Sequence, residues 1–391
     1  MNGYNFNEHI VKELLNEYGG SDKKKTVILD DGNKYMLKLP DPTREVKREL
    51  AYINNAISEY LGCRIFNICG FDVQDTILGL YIDEKGHEKI ACACKDIQQV
   101  DKKLLEMEKI ELSNIYEDDK LTLDSVYALI QRIDNLDNVQ TFIEYCNRFI
   151  IDALIGNTDR HNGNWGLLTN NDSTVISPVY DCASSLSPLY EDKELTDTLI
   201  SQEANNTKSA IVDEQGIRLY YRDFILSCND SRINDALKRV VPRIKIDEIS
   251  CLINNTPYIS DVRKHYYNSI INIRYEQILI PALEKSLGIE KSTEYKQWNS
   301  KLISYLYNKY IVPLNNNDFS TLNNYHIKTV KNKSFILDEN DYCVGIVRLE
   351  KSNLNVCKFV QVARKLGFDI DSDINFFIDK SKKEKNGLGN T

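Results

Sequence analysis

The 391-residue sequence lacks any run of about eighteen consecutive apolar residues, which is the length that a membrane-spanning helix needs. Its polar N-terminus, MNGYNFNEHIVKELL, has no long apolar stretch of the kind found in secretory signals. None of the ten cysteines forms a CxxC pair, so we expect reduced, buried thiols in a cytoplasmic protein. The formal net charge of −9 argues against a general nucleic-acid binder, which needs a basic surface. These absences predict that neither a membrane nor nucleic acid is a direct partner.

The composition is that of a folded protein large enough for two lobes or domains. Hydrophobic residues make up 42% of the chain and charged residues 27%, and no segment is repetitive. Alternating or short apolar runs predict strands in 26–39, 67–100, 167–176 and after 313. Apolar residues at helical spacing predict helices in most of the other segments. The predicted helices cover 5–18, 43–61, 101–114, 120–135, 139–155, 208–227, 229–241, 246–253, 259–286, 293–311 and VCKFVQVARKLGF. We therefore expect an α+β fold with a β-rich part (1–100), a helical part (101–312) and an appended α/β module (313–391).

The most informative stretch is LIGNTDRHNGNWGLLTNNDSTVISPVYDCASSL, from Leu154 to Leu186. It holds Asp159, then Asn164 five residues later, and Asp181 after a predicted strand pair. Phosphoryl transfer uses one Asp to accept or orient the attacking hydroxyl, and an Asn with a second Asp to hold magnesium. Protein kinases space the first two as D-x-x-x-x-N. The stretch therefore predicts a phosphoryl-transfer site. The alternative is a plain hydrogen-bonded turn, because Asn, Asp and Gly favour turns.

Lys38 lies within the apolar strand YMLKL, where a lysine faces either inward for a reason or outward from an edge strand. In kinases such a lysine binds the α- and β-phosphates and pairs with a helix glutamate. The apolar stripe of the predicted helix 43–61 makes Glu59 the candidate partner, with Glu49 as the alternative. A solvated glutamate is the simplest interpretation of either residue.

Two more segments are candidates for nucleotide contact. Gly20 and Ser21, at the start of GGSDKKK, form either a loop whose backbone N–H groups approach phosphates or a solvated turn; the Walker A pattern is absent. The run IACAC predicts a buried strand whose small side chains leave space for a flat ligand. The segment that follows, with Lys95 and Ile97, would then be the hinge whose backbone binds adenine.

Lys38, TDRHNGN and SPVYD occur here in the order found in the HipA-type kinases of bacterial toxin–antitoxin modules and their relatives, which residues 20–290 resemble. The two family motifs, D-x-H-x-x-N and P-x-Y-D, are represented by Asp159, His161, Asn164, Pro178, Tyr180 and Asp181. The resemblance implies a bilobal, protein-kinase-like fold with ATP and magnesium as cofactors. It also implies that Asp159 is the catalytic base, that Asn164 and Asp181 bind the metal, and that Lys38 binds phosphates.

Several side chains near the motifs keep two interpretations. His161 either fixes the loop or contacts the transferred phosphate, and Arg160 either balances charge near phosphate or faces solvent. Asp181 could instead be a helix N-cap, because small residues follow it. Ser184 and Ser185 lie where an activation segment would begin, which makes them candidate phosphorylation sites.

The expected function is a kinase that phosphorylates a protein Ser or Thr, or Tyr, with autophosphorylation as one outcome. Lipid kinases of the phosphoinositide type share the D-R-H-x-x-N loop, so a lipid or small-molecule kinase is the first alternative; a nucleotide-binding pseudokinase is the second. Toxin members of the family act beside a DNA-binding antitoxin, so an antitoxin-like protein is a candidate partner. Only about 20 residues precede the glycine pair, which fits the smaller, stand-alone relatives better.

Overall fold

The computed structural model describes residues 4–15, 24–40, 54–98, 101–113, 120–170, 172–289, 300–315, 325–348 and 350–376. These residues fall into two compact units. The first unit comprises Met1–Ala236 and Arg243–Leu279, and the second comprises Leu237–Pro242 and Ile280–Thr391. The α+β class is confirmed, whereas domain boundaries after residues 100 and 312 stay predictions.

The first unit begins with a six-stranded sheet and one long helix. In chain order the elements are β1 (Tyr4–Asn5), α1 (Phe6–His9), β2 (Ile10–Leu14), β3 (Lys24–Leu29), β4 (Lys34–Lys38), α2 (Asn55–Ile68), β5 (Thr76–Ile82) and β6 (Glu88–Lys95). The strand order is β1-β5-β6-β4-β3-β2, with β1 parallel to β5 and the other pairs antiparallel. One face buries Tyr35 and Leu37 of β4 in a core cluster, and the other face packs Met36 near Ala56 of α2.

The strands predicted in 26–39 are confirmed, and they form a β-hairpin. β3 and β4 pair antiparallel, and Gly32 in the turn between them has a φ of +76°, which suits glycine. The predicted helix 5–18 is wrong over residues 5–15, the part that the structure describes, because only Phe6–His9 is helical there and Ile10–Leu14 forms β2. The pairing of Ile10 with Leu29 of β3 explains the error, because an edge strand can pack the same apolar side chains against the protein that a helix would.

The rest of the first unit is mainly helical. Its elements, with the last turn of α8 assigned to the second unit, are β7 (Lys103–Glu106), α3 (Met107–Ser113), α4 (Leu123–Ile130), α5 (Asn138–Ile155), β8 (Gly166–Thr169), β9 (Thr174–Ile176), α6 (Asp197–Asn206), β10 (Lys208–Val212), β11 (Arg218–Tyr220), α7 (Tyr221–Ser227), α8 (Ser231–Val240), α9 (Ile246–Asn255) and α10 (Asp261–Ile273), which a π-helix (Arg274–Leu279) extends. The predicted hairpin in 167–176 is confirmed as β8 and β9, to which β7 adds a third strand.

Two predicted helices are partly wrong. The helix predicted from residue 101 begins with strand β7, because Leu104 pairs with Leu168 of β8. Most of the helix predicted over 208–227 is the hairpin β10–β11, and only α7 is helical. In that hairpin Ser209 and Ile211 alternate inward, and Gly216 has a φ of +84° in the turn.

The second unit combines helices with a small antiparallel sheet, as expected for an α/β module. Its elements are α11 (Ile280–Ser286), α12 (Ser300–Leu306), a π-helix (Tyr307–Ile311), α13 (Val312–Asn315), β12 (His326–Val330), β13 (Lys333–Leu337), β14 (Cys343–Arg348) and α14 (Asn353–Lys365). The sheet order is β12-β13-β14. An ion pair joins Lys358 of α14 to Glu284 of α11, and both side chains are 8% exposed.

Two expectations from the sequence concern the state of the cysteines and the presence of membrane-spanning helices. No disulfide joins any of the ten cysteines, all of which lie in described parts of the chain; eight of them are buried and only Cys251 is exposed. Within the ranges that the structure describes, none of the helices combines the length and apolar character that a bilayer-spanning segment needs.

Candidate active site

Lys38 is buried at the end of β4, with 1% of its surface exposed. Side chains alternate across a strand, so Lys38 shares with Met36 the face that packs near α2. The Nζ atom of Lys38 lies 3.0 Å from Oε2 of Glu59 and 2.8 Å from Oδ1 of Asp181. The predicted pairing with Glu59 is confirmed, while the alternative, Glu49, lies outside the described residues.

The charges in this cluster stabilise one another. Burial alone would lower the pKa of Lys38, but Asp181 and Glu59 outweigh it and hold that pKa well above its ordinary value. Burial would likewise raise the pKa of Asp181, yet the ammonium of Lys38 lowers it to about 2. Lys38 is therefore a cation and Asp181 an anion at neutral pH, as the predicted phosphate-binding role of Lys38 requires.

Helix α5 leads into the loop TDRHNGN and ends at Gly156, whose φ of +68° is left-handed. A Cβ at this position would lie 2.5 Å from the guanidinium of Arg274, so the close contact and the left-handed backbone both favour glycine. The side chain of Asn157 then accepts a hydrogen bond from the N–H of Asp159 at 3.1 Å and donates to Asp152 at 2.8 Å. The loop is thus a hydrogen-bonded turn and a candidate site at once, so the two interpretations of its sequence do not exclude each other.

Within the loop, Asp159 and Asn164 contact each other directly. The Nδ2 atom of Asn164 donates to the backbone carbonyl of Asp159 at 2.6 Å and approaches its Oδ2 at 3.4 Å. The Asp159 side chain is half exposed, at 50%, so it faces the solvent from which a substrate would arrive. Partial burial raises the pKa of the Asp159 carboxyl; the neighbouring His161 lowers it, and the negative charge of Asp181 raises it further.

His161 lies beside the candidate base and also shapes the loop. Its Nδ1 accepts a hydrogen bond from the N–H of Gly163 at 2.9 Å, which leaves the proton of a neutral ring on Nε2. That Nε2 lies 3.8 Å from Oδ1 of Asp159. The contact with Gly163 agrees with the loop-fixing interpretation, and a contact with phosphate stays a prediction.

Arg160 is buried, with 6% of its surface exposed, and connects the two motifs. Its Nε and Nη2 each lie 3.0 Å from a different carboxylate oxygen of Asp152 on α5. Its Nη1 donates to the backbone carbonyl of Asn164 at 2.8 Å and to that of Tyr180. From the sequence, Arg160 was expected either to balance charge near phosphate or to face solvent. In the structure it instead links the loop of Asp159 to the segment of Asp181.

A second link fixes the approach to Asp181. Val179 forms a parallel β-bridge with Val73, and its N–H donates to the carbonyl of Asp72 at 2.8 Å. Asp181 itself has a φ of +55° and no helix begins there, so the N-cap interpretation is wrong. Beyond it, Ser185 is fully buried and Ser184 is half-buried.

The remaining nucleotide candidates lie in other parts of the chain. Gly20 and Ser21 are outside the described residues. Lys95 and Ile97 line a polar cleft of about 670 Å³ that also includes Gln74 and Pro178. The N–H of Lys95 donates to the carbonyl of Asp75 at 2.9 Å, and its carbonyl accepts from Gln74 at 2.7 Å. A base in this cleft would therefore find the backbone of Lys95 already paired.

Reasoning from the sequence missed Arg160 and Asp152 as a pair. The available signal was an aspartate inside the apolar run FIIDALI, because a carboxylate on the buried face of a helix needs a partner. It also missed Arg218, which donates to the backbone carbonyl of Thr158 beside the candidate base.

Comparisons with known proteins agree with this geometry. Residues 17–245, more than half of the chain, match the HipA-like C-terminal domain family. The chain is 34% identical over 299 residues to the serine/threonine-protein kinase CtkA of Helicobacter pylori, covering 72% of this chain and 88% of that protein. The crystal structure of the H. pylori proinflammatory kinase CtkA matches with a TM-score of 0.64 and 26% identity, over 74% of this chain and all of that one. HipA from a Shewanella oneidensis HipA–HipB–operator DNA complex matches with a TM-score of 0.43 and 13% identity, over 64% of this chain and 60% of that one.

The match to the CtkA structure extends over 74% of this chain, and it confirms the expected protein-kinase-like fold. The family match spans both sequence motifs. The chain therefore belongs to the family of HipA-like kinases.

Proposed function

We propose that this chain is an ATP- and magnesium-dependent protein kinase that transfers the γ-phosphoryl group to a serine or threonine hydroxyl. The observation that carries the proposal is a buried lysine paired with Glu59 and Asp181. Arg160 joins the segment that carries Asp181 to the loop that holds Asp159 and Asn164. The serine/threonine specificity is supported by the related kinase CtkA, whose name carries it.

The chemistry of the side chains fits a magnesium nucleotide. Among the described residues, no cluster of three or more His, Cys, Asp or Glu side chains could hold a metal ion. Magnesium in kinases is instead held by one or two protein oxygens together with the phosphates. The Oδ1 of Asn164 and the Oδ2 of Asp181 are two such oxygens, because the other polar atom of each side chain is engaged with Asp159 and Lys38 respectively. A bound magnesium ion would neutralise phosphate charge as it develops.

The protein's own residues would do the rest of the work by position and charge. Lys38 would contact the phosphates while Glu59 holds its ammonium in place. Asp159, half exposed and tied to Asn164, would accept a hydrogen bond from the acceptor hydroxyl and take its proton as transfer proceeds. Such preorganised charges supply most of the acceleration in phosphoryl transfer. The adenine base would lie beside Lys95 and Ile97. Because the backbone of Lys95 is already paired, we expect the base to bond to the backbone of Ile97.

The test is transfer of radiolabelled γ-phosphate, with magnesium, to the protein itself and to generic protein acceptors. We expect Asp159→Ala to reduce the rate by a factor of about 10² to 10⁴, the usual contribution of a general base. Asp134→Ala is the matched control, because it removes an exposed carboxylate from a surface turn. Phosphoamino-acid analysis of labelled product should yield phosphoserine or phosphothreonine. Equal rates for Asp159→Ala and wild type, or label on phosphoinositide vesicles in preference to protein, would overturn the proposal.

A further inference from the structure

Helix α2, which carries Glu59, contacts the segment after Asp181 at three points. In the middle of the helix, Oε2 of Glu59 accepts a hydrogen bond from the backbone N–H of Cys182 at 2.8 Å. One turn later, Gly62 approaches so closely that a Cβ there would lie 2.4 Å from the Cβ of Cys182. Before the first turn, the backbone N–H of Asn54 donates to the carbonyl of Pro188 at 3.2 Å. One face of α2 therefore follows this segment over its first two turns.

The contact at Asn54 includes its side chain as well. The Nδ2 of Asn54 donates to the carbonyl of Tyr190 at 3.2 Å and approaches that of Pro188 at 3.4 Å. Asn54 is 9% exposed, so these backbone carbonyls are paired away from bulk water. The amide thus ties the N-terminal end of α2 to the far end of the segment.

The segment is held from its other side by the helical part of the same unit. Glu203 of α6 accepts hydrogen bonds from the hydroxyl of Ser187 at 2.8 Å and from that of Tyr190 at 3.0 Å. Arg263 of α10, 3% exposed, donates to the carbonyl of Tyr190 at 2.7 Å and to Asp192 at 2.8 Å. The segment is therefore fixed independently of α2.

The backbone of the segment is also strained in a way that only firm support sustains. Asp181, Leu186 and Ser187 have φ values of +55°, +57° and +55°, which is the left-handed region that side chains disfavour. Such conformations persist where the surroundings over-determine them, and they cluster at functional sites. The N–H of Leu186 is fixed by the carbonyl of Ile155, at the end of the helix that leads into the catalytic loop.

We propose that the segment from Asp181 to Tyr190 is a built-in clamp that holds α2 where Glu59 meets Lys38, with Gly62 and Asn54 as positioning residues. The proposal rests on the proposed function, because it explains how the phosphate-binding lysine is kept ready. Glu59 is fully buried between Lys38 and the N–H of Cys182, so a shift of α2 would leave buried charges unpaired. The clamp therefore assembles the site without a phosphate on the segment.

The sharpest test exploits the close approach at Gly62. Gly62→Ala places a methyl group against the Cβ of Cys182 and should displace α2, so we expect transfer to fall at least about tenfold and nucleotide affinity to weaken. Adding Cys182→Gly removes the opposing Cβ and should restore at least half of the lost rate, because the second substitution relieves the clash that the first one creates. Asn67→Ala, at an exposed site of α2, is the control and should behave as wild type. Full activity of Gly62→Ala, or losses that simply add in the double variant, would overturn the clamp.

Two measurements that do not depend on transfer separate the clamp from the proposed function. Hydrogen exchange should show α2 protected in wild type without nucleotide, and exchanging faster in Gly62→Ala and Asn54→Ala while α5 is unchanged. Phosphatase-treated wild type should transfer phosphate with no lag. Unchanged exchange of α2 in both variants, or a lag that autophosphorylation abolishes, would refute the clamp. If wild type shows no transfer at all, the proposed function fails, and hydrogen exchange alone decides the clamp.

Discussion

Arg160 offers a perturbation whose effects on stability and on catalysis should be separable. Arg160→Met removes both hydrogen bonds to Asp152, a carboxylate with 1% of its surface exposed. Among the described residues, Asp152 then keeps the hydrogen bond that its Oδ1 accepts from Nδ2 of Asn157 at 2.8 Å. Breaking a buried ion pair from one side costs about 3–5 kcal/mol, since the remaining charge is left uncompensated. For a domain of this size, about 2–4 °C of Tm per kcal/mol converts that loss to about 6–20 °C.

The double variant Arg160→Met with Asp152→Leu should recover at least half of that Tm, because no unpaired charge remains in the core. Phosphoryl transfer should not recover. The carbonyls of Asn164 and Tyr180 still lack the donor that joins them, and a displacement of about 1 Å in a catalytic group costs about a hundredfold in rate.

Differential scanning calorimetry and the radiolabel assay, run on wild type and both variants, test this directly. Arg132→Met, at an exposed site, controls for loss of an arginine. If the double variant regains both Tm and rate, Arg160 acts only by neutralising Asp152, and its role as a link between the two motifs is refuted. If the single variant keeps its Tm, the buried pair is not the source of stability that its geometry indicates.

Three further predictions concern other charges. Lys38→Met should abolish nucleotide binding and lower Tm, and adding Glu59→Gln should recover Tm alone; isothermal titration and calorimetry check this, and recovered binding would argue against the role of Lys38. Burial and a neighbouring glutamate raise the pKa of Tyr190 to about 12, so its neutral form contributes stability that is complete below about pH 10 and lost towards pH 12. Tyr190→Phe should therefore reduce the pH dependence of the free energy of unfolding, measured with denaturant, between these pH values. An unchanged pH dependence would contradict the argument. Lys358→Met should destabilise the second unit by about 3–5 kcal/mol by leaving Glu284 poorly paired, and a loss below about 1 kcal/mol in urea denaturation would show that the pair contributes little.

The elements that could be predicted are those whose information is local. The hairpin of β3 and β4 combines period-two alternation with a turn that contains Gly32, and both signals lie within about fifteen residues. The stretch from Ile10 to Leu14 was predicted wrongly, because its spacing fits a helix and a strand equally well. What decides is the partner strand, Lys24–Leu29, which follows later in the chain. Pairing with a separate strand is not visible in the pattern of one segment alone.

The candidate site shows the same limit at the level of side chains. The spacing of Asp159, Asn164 and Asp181 identified residue types and order, and the apolar stripe of α2 selected Glu59. Spacing gives no side-chain direction, however, so the inward turn of Arg160 onto Asp152 could not be inferred. The three contacts of α2 with the Asp181 segment, including the one at Gly62, likewise depend on two elements more than a hundred residues apart.

Charges of alternating sign run through the candidate site, and their order explains why the proposed kinase would need no rearrangement to act. Glu59 contacts Lys38, and Lys38 contacts Asp181. Arg160 reaches the carbonyl that precedes Asp181 and is itself held by Asp152 on α5. Burying so many charges is unfavourable unless each is paired. Displacing any one element would break an ion pair and leave an unpaired charge in the core, which is destabilising. The same pairing that stabilises these charges in the core therefore fixes their positions, so in the proposed mechanism the charges that act on phosphate would be in place before substrate arrives.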